Sequence, residues 1–183
     1  MTSASPAVLA VARDDGHRFS KPVRDSITLV ADHGVEGDAH AGATVQHLHD
    51  KRHHPDRPNL RQVHLMHAEL FAQVADRGHV VEPGQLGENI TTEGIDLLDL
   101  PARTRLRLGE EAVVEVTGLR NPCTQINGLS RGLMKELVRV DDTGATVRLS
   151  GVMSVVIVGG VVRPGDRIDV VLPDGAPEPL KVV

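Results

Sequence analysis

The segment TRLRLGEEAVVEVT, residues 104–117, decides how we interpret the fold of this chain. Leucine alternates with a polar residue up to Leu108, and apolar residues alternate again from Ala112 onward. A period of two residues is typical of a strand with one buried and one wet face, and Gly109 between the two runs allows a turn. The segment therefore predicts a β-hairpin.

Short apolar runs on both sides of this hairpin predict further strands. They lie at residues 7–12, 27–30, 62–66, 89–92, 146–149, 152–158 and 167–172. Helical spacing predicts two helices, at 67–77 and 130–138, and residues 33–59 carry no sustained period and predict a long loop. Because strands and helices hardly alternate, the pattern predicts a mainly β fold with a few helices, in the form of a closed or partly closed β-barrel.

The composition excludes several classes of partner. The chain has 183 residues, which fits one domain, and its formal net charge of −5 is spread evenly, which argues against a nucleic-acid surface. Aromatic residues make up 1% of the chain, too few for a base-stacking platform. No apolar run approaches the ~20 residues that cross a bilayer, and the first residues do not resemble a secretory signal. We expect a cytoplasmic protein that binds neither nucleic acid nor membrane.

Cys123 is the only cysteine, so the chain cannot form an internal disulfide or a Cys-X-X-Cys metal site. It lies in the segment RNPCTQ, where Pro122 stiffens the backbone and Arg120 supplies a nearby positive charge. A lone cysteine is most often an inert buried residue. This polar, cationic setting instead favours the thiolate, which is a nucleophile and a ligand for soft metals.

All ten histidines precede residue 80. His47, His49, His53 and His54 are close together, but their spacing matches no specific zinc site, and we interpret them first as solvated loop residues. A metal-binding or metal-sensing module built on this loop remains an alternative hypothesis. His40 differs because glycines near it allow the backbone to approach a ligand, so it is a candidate site residue.

Five segments in this order resemble the MOSC family, which is named after the C-terminal domain of molybdenum-cofactor sulfurase. They are DHGVEGDAHAG (32–42), RQVHL (61–65), PGQLGENITTEGIDL (83–97), GLRNPCTQI (118–126) and GGVVRPGD (159–166). The resemblance implies a single MOSC-like domain over residues 1–183, of the small bacterial type, with a barrel related to the barrel domain of pyruvate kinase. We expect its motif-bearing core at about 27–172 and a loosely ordered tail at 173–183.

The resemblance also implies a set of site residues around a molybdenum cofactor, a phosphate-bearing pterin that carries molybdenum. The family's Pro-Cys cysteine corresponds to Cys123, which becomes the metal ligand and the catalytic residue. Matching positions place seven more residues around the cofactor: His40, Arg61, Glu88, Asn89, Thr91, Arg120 and Asn121. Guanidinium groups suit phosphate or pterin oxygens, and the asparagines suit the pterin edge.

Two mechanisms follow from the resemblance. In the first, Cys123 ligates molybdenum and the centre reduces N-hydroxylated compounds, with electrons from a separate donor protein. In the second, Cys123 carries sulfur as a persulfide and needs a separate sulfur donor. We expect no haem, flavin or iron–sulfur cluster, and pyridoxal phosphate binding enters only as a family association. The residues do not distinguish a monomer from a homodimer.

Overall fold

The computed structural model describes residues 5–46 and 52–183. Within these residues thirteen strands form three sheets. The strands are β1 (Ala7–Ala12), β2 (Val23–Arg24), β3 (Ile27–Val30), β4 (Gly34–Val35), β5 (Val63–His67), β6 (Ile90–Glu93), β7 (Arg105–Leu108), β8 (Ala112–Leu119), β9 (Val138–Val140), β10 (Thr146–Arg148), β11 (Val152–Val158), β12 (Gly160–Val162) and β13 (Ile168–Val171). The helices are α1 (Glu69–Ala75), α2 (Leu133–Leu137) and two 3₁₀ helices, Leu97–Asp99 and Thr124–Gly128.

The predicted hairpin is confirmed as β7 and β8, which pair antiparallel with Leu108 opposite Ala112. Leu106 and Leu108 are fully buried while Arg105 is exposed, as the alternation of apolar and polar residues requires. The hairpin forms part of an eight-stranded sheet with the order β13-β7-β8-β11-β5-β6-β1-β2. The mainly β class with few helices is therefore correct.

One pair in this sheet departs from the expected antiparallel pattern. Strands β5 and β6 run parallel, with Leu65 opposite Ile90, and α1 lies between them in the chain. Parallel neighbours need a crossover connection, which α1 and the loop after it provide. The crossover is physically important because the loop that returns to β6, residues 83–89, carries several of the site residues.

The ends of the large sheet approach each other without forming a continuous ladder. The β1 residue Val8 donates its backbone N–H to the carbonyl of Asp166 at 2.8 Å and accepts from the Gly165 N–H at 2.8 Å, just before β13. An isolated bridge joins Ala7 and Arg167. Among the described residues no sheet is closed into a barrel, and the closed or partly closed barrel stays a prediction.

Two clusters of buried apolar side chains form the core. The larger one joins side chains of the large sheet to those of β3, β4 and β12, and the smaller one lies between α1, α2 and the 3₁₀ helix after Cys123, around Leu70, Ile126 and Leu133. None of the helices in the described part of the chain is both long and apolar enough to span a membrane.

Several predicted boundaries shift in the structure. The predicted helix at 130–138 is shorter in the structure. Gly132 (φ +92°), and not Ser130, precedes its first residue, and residues 138–140 form β9. The loop at 33–59 contains the short strand β4. In the tail, the Val183 N–H donates to the Leu119 carbonyl, and the Leu119 N–H donates to the Lys181 carbonyl at 2.8 Å. The loose order of the tail stays a prediction.

Candidate functional site

Cys123 lies in a short loop that leaves the centre of the large sheet. Strand β8 ends at Leu119, and the next backbone N–H, that of Arg120, donates to the carbonyl of Gly151 at 3.1 Å. Pro122 is buried, Cys123 is half-buried, and the 3₁₀ helix begins at the next residue. The thiol points toward Gln125, whose Oε1 is 3.5 Å from Sγ. The thiol is therefore accessible and held by a rigid backbone.

The Arg120 side chain connects this thiol to the protein interior. Its guanidinium interacts with the Cys123 side chain and lies over the ring of Phe19, 5.9 Å from the ring centroid. Burial lowers the pKa of Arg120, whereas Cys123 and Glu88 act to raise it, and the group stays charged. The Nη1 atom is buried and has no hydrogen-bond partner in the described structure. A buried cationic N–H without an acceptor is suited to an anion.

Asp38 is the centre of a second group of site residues. Its buried carboxylate accepts hydrogen bonds from the backbone N–H of His40 (2.9 Å) and from Nδ2 of Asn89 (3.0 Å). Nδ1 of His40 lies 3.2 Å from the same carboxylate, and the Asp14 N–H lies 3.3 Å away. Burial by itself raises the pKa of Asp38, but the contacts with His40 and Lys21 outweigh it and hold this pKa well below its ordinary value.

Lys21 is a site residue that sequence reasoning missed. Its Nζ lies 2.8 Å from Oδ2 of Asp38, and both side chains are almost completely buried. Burial lowers the pKa of Lys21, although Asp38 and Glu88 oppose this shift. In the sequence, Lys21 stands in the unremarkable tripeptide SKP, and Asp38 lies inside a motif without being singled out. Only the tertiary contact reveals that they form a buried ion pair.

Glu88 organises the loop between α1 and β6. Its fully buried carboxyl group accepts from the backbone N–H groups of Gly84 (2.6 Å) and Leu86 (3.1 Å) and from the Thr91 hydroxyl (3.1 Å). Burial raises the pKa of Glu88. Gly84 is required here because its φ is +83° and a Cβ would lie 2.2 Å from the carbonyl of Lys21. Glu88 thus fixes the loop against the segment that carries Lys21.

Replacing Thr91 by valine should destabilise the fold, because the Thr91 hydroxyl donates a hydrogen bond to the buried Glu88 carboxyl group. We expect the Thr91→Val variant to lose about 1–2 kcal/mol of unfolding free energy in urea titration. The neighbouring Thr92→Val variant is the matched control, since its hydroxyl makes only a long contact of 3.4 Å to the Met66 carbonyl. Equal stability of the two variants would contradict the role of Thr91 in holding Glu88.

His64 and Ser150 are two further buried polar residues that sequence reasoning missed. Nε2 of His64 donates to the Ser150 carbonyl at 2.7 Å, while burial and the charge of Arg120 hold its pKa well below the ordinary value. The imidazole is therefore neutral at neutral pH. The Ser150 hydroxyl is buried and has no partner in the described structure. The strand alternation in QVHLM places His64 on one face of β5, but nothing in it indicates a contact with Ser150.

The structure does not bring all the predicted residues together. Asn121 is exposed, and its Oδ1 accepts from Nε of Arg148 at 3.3 Å. Arg61 is half-buried and precedes β5, and its backbone N–H donates to Oδ1 of Asn59. Asn89, by contrast, is buried, and its amide contacts Asp38, the Ala12 carbonyl and the His64 N–H. Asn89 is thus positioned to support Asp38 from inside.

The histidine-loop hypothesis receives no support from the described residues. His47 and His49 lie outside them, and His53 and His54 are exposed. Across residues 5–46 and 52–183, no group of three His, Cys, Asp or Glu side chains is arranged to hold a metal ion. A metal site on the whole histidine loop therefore stays a prediction.

Fold and site together define a mainly β protein that presents one thiol beside a buried cation. Residues 39–169 match the MOSC domain, and the chain belongs to this family. The match includes the Cys123 loop and the Glu88 loop, whereas Lys21 and Asp38 precede it. The comparison with curated proteins gives no match.

Solved structures with the same fold include three small bacterial proteins. The YuaD protein of Bacillus subtilis is similar with a TM-score of 0.70 and 22% identity, over 90% of this chain and 95% of that one. YiiM of Geobacillus stearothermophilus has a TM-score of 0.61 and 17% identity, over 91% and 75% of the two chains. YiiM of Escherichia coli has a TM-score of 0.58 and 21% identity, over 93% and 72%.

Proposed function

We propose that this chain binds a molybdenum cofactor and holds its metal through the Cys123 thiolate. The observation that carries the proposal is the half-buried thiol beside a guanidinium whose buried Nη1 has no acceptor among residues 5–46 and 52–183. A thiolate is a soft ligand that suits a sulfur-ligated metal, and an unpartnered guanidinium N–H suits an oxyanion. Membership in the MOSC family, which is associated with this cofactor, supports the same conclusion.

The residues of the site divide into those that would hold the cofactor and those that support them. Cys123 would bind the metal, and Arg120 would donate to an oxygen of the anionic part. Three residues make their hydrogen bonds to protein groups and support the site from inside. Glu88 and Thr91 fix the loop, and Asn89 fixes Asp38. His40 keeps its ring half-exposed next to Asp38.

We further propose that the protein is a reductase of N-hydroxylated compounds. When bound, the cofactor supplies two-electron chemistry that removes the oxygen atom from such a substrate. The chain contributes the thiolate ligand and fixed cations, and it contains a single cysteine, so the electrons must come from a separate protein. A sulfur-carrier function of Cys123 is the second candidate, because the thiol is half-buried and the cationic Arg120 is its neighbour.

Metal and pterin analysis of the purified chain tests the proposal. We expect stoichiometric molybdenum, together with pterin detected by fluorescence, after expression with molybdate in a host that makes the cofactor. The loaded chain should then oxidise a reduced viologen dye when an N-hydroxylated base is added. The same chain from a host without pterin synthesis is the control. A folded chain that contains neither molybdenum nor pterin in the competent host would contradict the proposal.

A further inference from the structure

Two buried polar groups lack partners in the described part of the chain, and one of them belongs to Arg120, which interacts with Cys123. They are Nη1 of Arg120 and the hydroxyl of Ser150, and both are buried. The two residues are neighbours along the backbone, just beyond the paired ends of β8 and β11, since the Arg120 N–H donates to the carbonyl of Gly151, which follows Ser150. A buried donor without an acceptor costs about 1–3 kcal/mol. This cost is removed when a ligand supplies the acceptor.

The charges around these groups select an anion. The other buried cation, Lys21, has Asp38 as its partner at 2.8 Å. Arg120 has no hydrogen-bonded carboxylate among the described residues: Glu88 acts on its charge but accepts its hydrogen bonds from Gly84, Leu86 and Thr91. His64 is neutral and adds no charge. The place next to Arg120 therefore suits a small oxyanion whose far end reaches the Cys123 side chain.

We propose that Arg120 and Ser150 bind the oxygen-bearing end of a sulfane-sulfur oxyanion of the thiosulfate class, which donates its outer sulfur to Cys123. This inference rests on the second candidate function, the sulfur carrier, and names its donor. The oxygens accept from Arg120 and Ser150, and the outer sulfur is the atom that a thiolate attacks.

The transfer balances without another reagent. The Cys123 thiol releases its proton to water, and its thiolate forms a bond to the outer sulfur of thiosulfate. The sulfur–sulfur bond of the donor breaks, and its electron pair leaves with sulfite. Cys123 ends as a persulfide. No separate oxidant or reductant is needed, because the outer sulfur of thiosulfate is already in the reduced state that it keeps in the persulfide. Phosphate or sulfate shares the oxygens but has no outer sulfur, so it binds at the same place without reacting.

Sulfite release from the full chain tests the inference. The chain is reduced, freed of reductant and incubated with thiosulfate, and we expect one sulfite per chain and an intact mass higher by one sulfur atom. The Arg120→Lys variant should react about 10–100-fold more slowly, because a single ammonium replaces the fork that binds the oxyanion. Ser150→Ala should also slow the reaction, and added sulfate should compete. The exposed Arg131→Lys is the matched control, and Cys123→Ser should release no sulfite.

Two results would overturn the donor assignment. One is a wild-type chain with an alkylatable Cys123 that releases no sulfite, including the case in which sulfate binds but thiosulfate does not react. The other is sulfite release at the wild-type rate in both Arg120→Lys and Ser150→Ala. Molybdenum is measured on the same preparations. A chain that holds molybdenum but releases no sulfite overturns only this inference, whereas one that releases sulfite but never holds molybdenum overturns only the cofactor proposal.

Discussion

Replacing Asp38 by asparagine should cost about 3–5 kcal/mol of unfolding free energy, because it leaves the Lys21 ammonium buried without its counterion. The carboxylate is the acceptor for Lys21, His40 and Asn89, and an asparagine can turn only one oxygen toward them. Urea unfolding at neutral pH measures the loss. The exposed Asp25→Asn variant is the matched control and should change stability by less than about 0.5 kcal/mol.

The double variant Lys21→Met/Asp38→Asn tests whether the unpaired charge is the cause. We expect it to be more stable than Asp38→Asn alone, because removing both partners of a buried ion pair costs less than removing one. If Asp38→Asn does not fold, recovery of a folded chain in the double variant gives the same answer. A double variant no more stable than the single one would show that Asp38 stabilises the fold without help from its charge.

The pH dependence of stability is an independent test of the Lys21–Asp38 ion pair. The pKa of Asp38 is lower in the folded chain than in the unfolded one, so its contribution is present above about pH 4 and is lost as the pH falls below it. In Asp38→Asn, burial lowers the pKa of Lys21 without opposition from the carboxylate. The variant should therefore gain stability, relative to the wild type, as the pH rises from neutral toward about 10.

Local sequence patterns predict the long elements of this fold and miss the short ones. The alternation in β7 and β8 is visible in the sequence because every second side chain enters the core. Strands β2 and β4 have two residues each, too few for a period, and are formed only because longer strands lie beside them. The parallel pairing of β5 and β6 is likewise set by the path of the chain after α1.

The same distinction applies to the site. The Cys123 loop is predictable because proline, arginine and the lone cysteine lie within four residues of each other. Lys21 and Asp38 are seventeen positions apart, and a lysine or aspartate in a polar segment is normally a surface residue. Their burial depends on the Glu88 loop, which packs against the Lys21 backbone through the Lys21 N–H to Gly84 carbonyl hydrogen bond of 2.8 Å. No local pattern encodes such a contact.

Replacing Cys123 by serine should remove molybdenum from the purified chain while leaving the fold intact. Serine keeps the size and a donor for Gln125, and Cys123 is half-buried outside the two core clusters, so we expect a stability change below about 1 kcal/mol. The serine hydroxyl is not ionised at neutral pH and is a hard ligand, whereas sulfur is a soft one. Molybdenum content should fall by more than about tenfold, since changes to groups that only support a metal ligand already cost that much.

The control for this experiment is Thr124→Ser, an exposed change in the adjacent residue that leaves the thiol in place. Wild type, Thr124→Ser and Cys123→Ser are expressed side by side, and molybdenum, pterin and urea stability are measured on each. Because Arg120 would hold the anionic part separately from the metal, we expect Cys123→Ser to retain more pterin than molybdenum. Molybdenum at the wild-type level in a folded Cys123→Ser chain would mean that another group ligates the metal, and the reaction centre would then have to be sought away from the thiol.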